Sequence, residues 1–299
     1  MRPVPSLKTL FALFASLMAT SSSATNVIHT EKSLYRNIVI YEEGDQRCMS
    51  FSQRDQSARQ TCKSLGDPNA FVFTYTKMMM GALYLNPTPR NVLIIGLGGG
   101  VLPMALAAIY PDTVIDIVEI DPAVVKVASQ FFGFHSGPKI RVIEEDGRVF
   151  AKRAGKADQR YDLIMLDAFD HQYIPEHLLT QEFLLEIKKL LTPDGVLAAN
   201  TFSTSRLYDH ESTTYQSVFG VFYNLRVQYK NRIILAKLDG LPTRDAIERN
   251  AATLEEKLKP LGFGRDWLLP LFSTERDWKP EARILTDQYS PSNLLNSPL

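Results

Sequence analysis

From Asn91 onward the chain alternates short apolar runs with stretches of helical spacing, and this alternation limits the fold more than any other feature. Val92–Ile95, Val114–Glu119, Ile140–Ile143, Tyr161–Leu166 and Val196–Asn200 read as five strands. Their nearly unbroken apolar character is that of strands buried on both faces. Between them lie helices at Leu102–Ile109, Ala123–Phe132, Arg148–Arg153 and Thr180–Leu191. Asp121-Pro122 starts one of these well, because Asp caps free N–H groups and Pro suits the first helical position. Gly133 and Pro193-Asp194-Gly195 provide stops. Strands separated by helices must run parallel, with helices on both faces. Residues 212–223 read as a helix, and Arg226–Tyr229 with Arg232–Ala236 finish the sheet as a hairpin. The expectation is an α/β fold with a doubly wound, mostly parallel, seven-stranded sheet. A charged amphipathic helix follows over 243–259, and the tail from Pro260 packs irregularly.

The sequence before Asn91 has another character. Residues 34–51 and 58–75 carry β-branched and aromatic runs broken by Glu43-Gly44-Asp45, the pattern of a small antiparallel sheet of hairpins. Arg54–Ser57 reads as a turn, and a hairpin centred on Asp55 sets Cys48 opposite Cys62. A disulfide fits that placement, as do two reduced strand cysteines. Met78–Leu85 is an apolar helical approach whose methionines read as core, closed by Asn86-Pro87-Thr88-Pro89. At the start, Arg2 and Lys8 precede the apolar run Thr9–Ala19 and then TSSSAT, the order of a secretory leader with a cut after Ala24. That run is too short to span a bilayer, which takes roughly 20 residues. The expected division is a leader over 1–24, a hairpin domain over 25–85, a sheet domain over 86–240 and a C-terminal helix and tail over 241–299, with export to the periplasm expected and a cytoplasmic location as the alternative.

In an open parallel sheet, ligands bind beyond the carboxyl ends of the strands, and the unusual residues of this chain stand there. Gly96, Gly98 and Gly100 form GLGGG after the first strand, and Glu119 ends the second, 19 residues past Gly100. Asp146 follows the third strand, and Asp167 and Asp170 follow the fourth. A glycine loop lets a ligand approach the backbone. A carboxylate after the second strand can accept both ribose hydroxyls, and one after the third can accept an adenine amino group. Together these features point to a nucleoside ligand. Val101 stands where a dinucleotide fingerprint requires its third glycine, so GxGxG with acids after strands two and three suits S-adenosylmethionine or a relative instead. With 33 basic and 33 acidic residues the chain has no charge excess to draw it to nucleic acid or anionic lipid. His135, His171, His177 and His210 lack metal-ligand spacing, so no metal is expected, and His171 reads as solvent-facing or lining an acceptor pocket. Asp287 and Tyr289 read as a C-terminal brace, with closure over the pocket as the alternative.

The segments VLIIGLGGG, DIVEIDPAVV, VIEEDGR, YDLIMLDAFD and LLTPDGVLAANTF, with the hairpins and FTYTKMMM before them, resemble the spermidine synthase family of polyamine aminopropyltransferases over roughly residues 34–205. The resemblance implies a Rossmann-like sheet of the methyltransferase kind and decarboxylated S-adenosylmethionine, or S-adenosylmethionine, as co-substrate. It also implies a small polyamine as acceptor, and a homodimer is common in that family. Glu119 would hold ribose, and Asp146 and Gly147 adenine. Asp167 and Asp170 would match the acidic pair of the DxxD motif, with Tyr75 as the gate tyrosine. Three positions depart from the family. The aspartate of GGGDGG, which meets the donor's ammonium, is Gly99 here (Gly98 if a one-residue gap shifts), a glutamine is replaced by Arg36 beside Tyr35, and Gln-Glu after the gate tyrosine is Thr76-Lys77. One acid lost and two bases gained make the tail pocket less hostile to a carboxylate. A methyltransferase, or a non-catalytic exported nucleoside-binding protein, is the alternative.

Overall fold

The computed structural model describes residues 25–52, 59–168, 174–227 and 231–289. Two sheets organise them. The first is a four-stranded antiparallel meander of β1 (Asn26–Lys32), β2 (Asn37–Glu43), β3 (Gln46–Ser50) and β4 (Arg59–Ser64). Cys48 and Cys62 are register partners on β3 and β4 and form a disulfide, so the oxidised alternative holds. The strand β1 extends this sheet beyond the expected hairpins. The turn expected at Arg54–Ser57 lies outside the described residues.

The second sheet has seven strands in the order β10-β11-β9-β8-β5-β6-β7. Its parallel part is β5 (Asn91–Ile95), β6 (Val114–Glu119), β7 (Ile140–Glu144), β8 (Tyr161–Leu166) and β9 (Leu191–Phe202), and β10 (Tyr223–Arg226) and β11 (Asn231–Lys237) close one edge antiparallel. The strands face alternate cores. Val92 and Ile94 join one apolar cluster, while Leu93 and Ile95 join the other. On the first face pack α3 (Val101–Ile109), α4 (Pro122–Val127) and α8 (Arg244–Leu258), with α1 (Thr74–Met79) and α2 (Ala82–Leu85). On the second pack α5 (Gly147–Lys156), α6 (Gln181–Leu190) and α7 (Tyr208–Phe219). The doubly wound expectation is met, and β5 lies at the switch point, with β6 on one side and β8 on the other.

Several boundaries move for identifiable reasons. Met78–Leu85 is two short helices, because the chain turns at Gly81, where a Cβ would press on the Met78 carbonyl at 2.9 Å. The helix expected over Ala123–Phe132 passes into a π turn at Ala128–Phe132 before its left-handed stop at Gly133. Pro193–Gly195 does not end a helix before a fresh strand. It lies inside β9 as a bulge, where the register with β8 jumps from Tyr161↔Leu191 to Leu163↔Val196. The helix α7 begins four residues earlier than expected and stops before Gly220, so β10 arrives early as well. In α7 the Ser212 and Thr214 hydroxyls donate to the carbonyls one turn back, each at 2.6 Å, so these polar residues are satisfied inside the helix.

The tail carries α9 (Arg265–Leu268), and its later residues brace the second face. Trp278 stacks on Phe222 with centroids 5.1 Å apart. Asp287 accepts two hydrogen bonds from the Arg148 guanidinium at 2.6 and 2.7 Å and one from Thr180 Oγ1 at 2.8 Å. Asp287 is thus the brace of the two readings, and it is not among the residues that line the cleft.

Candidate active site

The carboxyl ends of β5, β6, β7 and β8 open into one cleft, roofed by the hairpin sheet and α1. Its lining includes Tyr75, Gly96, Gly98, Glu119, Asp146, Gly147 and Asp167, so sequence positions far apart share one cavity. Gly100 is not part of the lining. It starts α3 in a left-handed conformation, and a Cβ there would strike the Phe134 ring. Asp170 and His171 lie outside the described residues.

The glycine loop is shaped by what it must pass. Gly96 has φ +99°, and a Cβ on it would fall inside the Asp167 backbone carbonyl. That contact lets the loop after β5 lie flush against the loop after β8. Gly98 differs: it lines the cleft, and a Cβ there would meet nothing within 4 Å. A Cβ on Gly99 would instead strike Thr61 of β4 at 2.7 Å. Of the two glycines that can stand for the family aspartate, only Gly98 has room for a side chain.

Glu119 is partly buried at the end of β6, where it lines the cleft. Burial raises its carboxyl above the ordinary value, opposed by N–H groups of Leu97 and Asp121, which donate at 3.0 Å each. Asp121 caps α4 through Ala123 N at 2.9 Å and accepts from Ser33 Oγ at 2.6 Å, tying the hairpin sheet to the cleft. Asp146 caps α5, accepting from the N–H groups of Arg148 at 2.9 Å and Val149 at 3.0 Å. Its other oxygen lies 2.8 Å from His177 Nε2. Burial acts to raise the Asp146 carboxyl, but the Val149 N–H, His177 and the Arg148 N–H outweigh it and hold the group below its usual range.

Among the described residues, the donors to the carboxylate of Asp167, just past β8, are side chains. Asn200 Nδ2 donates to Oδ1 at 2.9 Å, and the Tyr75 hydroxyl donates to Oδ2 at 3.4 Å. Burial pushes this carboxyl up to about 7, against the pull of Asn200 and then Tyr75. Burial and the adjacent carboxylate likewise raise the Tyr75 phenol well above its usual value, so it remains a donor at neutral pH.

Two of the departures at the tail pocket are resolved. Arg36 lines the cleft, its guanidinium 4.4 Å from the centre of the Phe51 ring. Lys77 turns away and donates to the Gly262 carbonyl at 3.0 Å, so the cleft gains one base at these positions rather than two. Among the lining residues are the acids Glu119, Asp121, Glu145, Asp146 and Asp167 against Arg36 and His177, a balance that suits cationic ligands. Asn200 and His177 were missed as site residues. The signal for Asn200 is an amide closing the apolar run VLAA at the same edge as the acids. His177 had none.

A family model described as a spermine/spermidine synthase domain matches residues 72–229. A polyamine aminopropyltransferase of Vibrio vulnificus is 48% identical over 291 residues, covering 96% of this chain and 97% of that protein. The chain belongs to the spermine/spermidine synthase family. The fold extends across that family and beyond it. A probable spermidine synthase structure from Corynebacterium glutamicum superposes with a TM-score of 0.66 at 18% identity, covering 87% of this chain and 96% of its own. The human methyltransferase-like protein 13 structure, in complex with SAH, matches with a TM-score of 0.58 at 28% identity, over 74% of this chain and 99% of that one. Among the described residues no cluster of His, Cys, Asp and Glu is placed to hold a metal ion, and no helix is long and apolar enough to cross a membrane.

Proposed function

We propose that this member of the spermine/spermidine synthase family transfers an aminopropyl group from decarboxylated S-adenosylmethionine to a polyamine amine. The observation that carries the proposal is the setting of Asp167: a partly buried carboxylate pushed up to about 7, in the same cleft as Glu119 and Asp146. Glu119 accepts the ribose hydroxyls, and Asp146 with Gly147 takes the adenine edge. The sulfonium is its own leaving group. As the acceptor nitrogen forms its bond to the aminopropyl carbon, the carbon–sulfur bond breaks and its electron pair stays on sulfur, releasing a neutral thioether nucleoside. The nitrogen gives up one proton in the process. Asp167 accepts it and then returns it to water. A base whose pKa lies near the working pH suits this task, and Tyr75 and Asn200 fix its direction. Holding donor and acceptor in line supplies much of the rate.

The open position at Gly98, where no acid meets the donor tail, together with Arg36 in the lining, favours a second reading in which the intact sulfonium binds and a methyl group is transferred. Titration calorimetry with both sulfoniums, paired with mass analysis of the polyamine product, separates the two. Tight binding of the decarboxylated form and an aminopropylated product are expected, while binding of the intact form alone overturns the first reading. Export to an oxidising compartment is also proposed. The Cys48–Cys62 bond supports it, and N-terminal sequencing of secreted protein tests it by whether the mature chain begins after Ala24.

A further inference from the structure

The residue that points Asn200 at Asp167 stands on another strand. Asn200 is 3% exposed, so its amide must find partners within the protein. An amide offers an acceptor at one end and two donors at the other. Turned one way it donates to the carboxylate, and turned the other way it sets oxygen against oxygen. Asn231, the first residue of β11, donates from Nδ2 to Asn200 Oδ1 at 3.0 Å. The two residues are diagonal neighbours, because Asn231 pairs with Phe202 and Ile233 with Asn200. With Oδ1 occupied by a donor, only the orientation that presents Nδ2 to Asp167 leaves both ends of the amide satisfied.

We propose that Asn231 is a positioning residue for proton transfer: by donating to Asn200 Oδ1 it locks the amide so that Asn200 donates to Asp167 and holds the carboxylate aimed and ionised toward the cleft. The proposal rests on the reading of Asp167 as the proton acceptor. Among the described residues, the side chains that hydrogen-bond to this carboxylate are Tyr75 on α1 and Asn200 on β9. The other charged or titratable groups lining the cleft are Tyr35, Arg36, Glu119, Asp121, Glu145, Asp146 and His177. Asn231 itself contacts neither donor nor acceptor site, and it is not among the lining residues.

The test uses Asn231→Leu, which keeps the branched side-chain skeleton and removes the donor, with the smaller Asn231→Ala beside it. The Asp167 carboxyl is titrated by carbon NMR on aspartate-labelled protein, its resonance assigned by its loss in Asp167→Asn, and kcat and KM are measured across the same pH range. The expected result is an upward move of the Asp167 midpoint by about one unit in both variants, with a fall in kcat of about tenfold on the acid side and an unchanged donor KM, one unit being a tenfold change in ionised fraction. Midpoints and rate profiles that overlie those of the unsubstituted protein, even with lower melting temperatures, overturn the proposal, since a merely structural role would do just that. A midpoint that moves without any movement in the rate supports the hold of Asn231 on Asp167 and overturns instead the reading of Asp167 as proton acceptor.

Discussion

Asp146 and Asp167 are the same residue type in the same cleft, each within two residues of the end of a parallel strand, yet their surroundings push them in opposite directions. Asp146 sits on the N-terminus of α5 with two backbone N–H groups and His177 on its oxygens, and its carboxyl is held below the usual range. Among the described residues Asp167 meets two side-chain donors and no backbone N–H, and burial pushes it up to about 7. The difference assigns the work. A carboxylate kept ionised by fixed donors is a durable acceptor for a ligand's polar edge, while one with fewer of them is poised to take and release a proton. Glu119 stands between the two: burial raises its carboxyl, but two backbone donors oppose the rise.

Removing the proton acceptor has the largest effect. Asp167→Asn is expected to lower transfer by about 10²–10⁴-fold, the usual worth of general base catalysis, with donor affinity by calorimetry little changed. The same variant tests the cost of the site. A carboxyl raised on folding contributes stability while it is protonated, fully below its unfolded value near 4 and no longer above its folded value of about 7. Thermal melts should therefore show Asp167→Asn more stable than the unsubstituted protein at about pH 8, with the margin closing as the pH falls toward about 4.

Asp146→Ala should reverse that profile, weakening donor binding about tenfold to a hundredfold in calorimetry through loss of a charged acceptor. It also removes a helix cap, at about 1 kcal/mol in denaturant melts, and leaves kcat at saturating donor largely intact. The smallest effect is expected from Gly98→Asp. The position has φ +54°, which Asp tolerates better than most residues, and open space before it. Competition binding should show the preference for the decarboxylated over the intact sulfonium growing by about tenfold, because the new acid meets an ammonium and repels a carboxylate.

Much of this contrast is legible in the chain. The parallel sheet follows from buried apolar runs separated by helices, and Glu119, Asp146 and Asp167 follow from their places at strand ends. The placement of Cys48 opposite Cys62 follows from hairpin symmetry about Asp55, while their oxidation to a disulfide is seen only in the structure. What the sequence hides is contact between residues distant along it. The hold of Asn200 on Asp167 needs β9 beside β8, and that of Asn231 on Asn200 needs the antiparallel register of β11, which no local pattern reports. The outward turn of Lys77 depends on the Gly262 carbonyl 185 residues away. Gly100 resembles its neighbours in GLGGG, but its role is set by Phe134 packing behind the loop. Helix and strand ends shifted where a glycine or a bulge settled a competition between two acceptable stops, as at Gly220 and Pro193–Gly195.

The central claim is that burial with two side-chain donors makes Asp167 a base tuned to neutrality, and the single-turnover rate of aminopropyl transfer against pH, at saturating donor and acceptor, tests it most directly. The rate is predicted to climb about tenfold per pH unit below about 7 and to level off above it, as the carboxyl gives up its proton. A profile that stays flat down to about pH 5 would mean that Asp167 ionises as an ordinary exposed carboxylate, and would contradict the account.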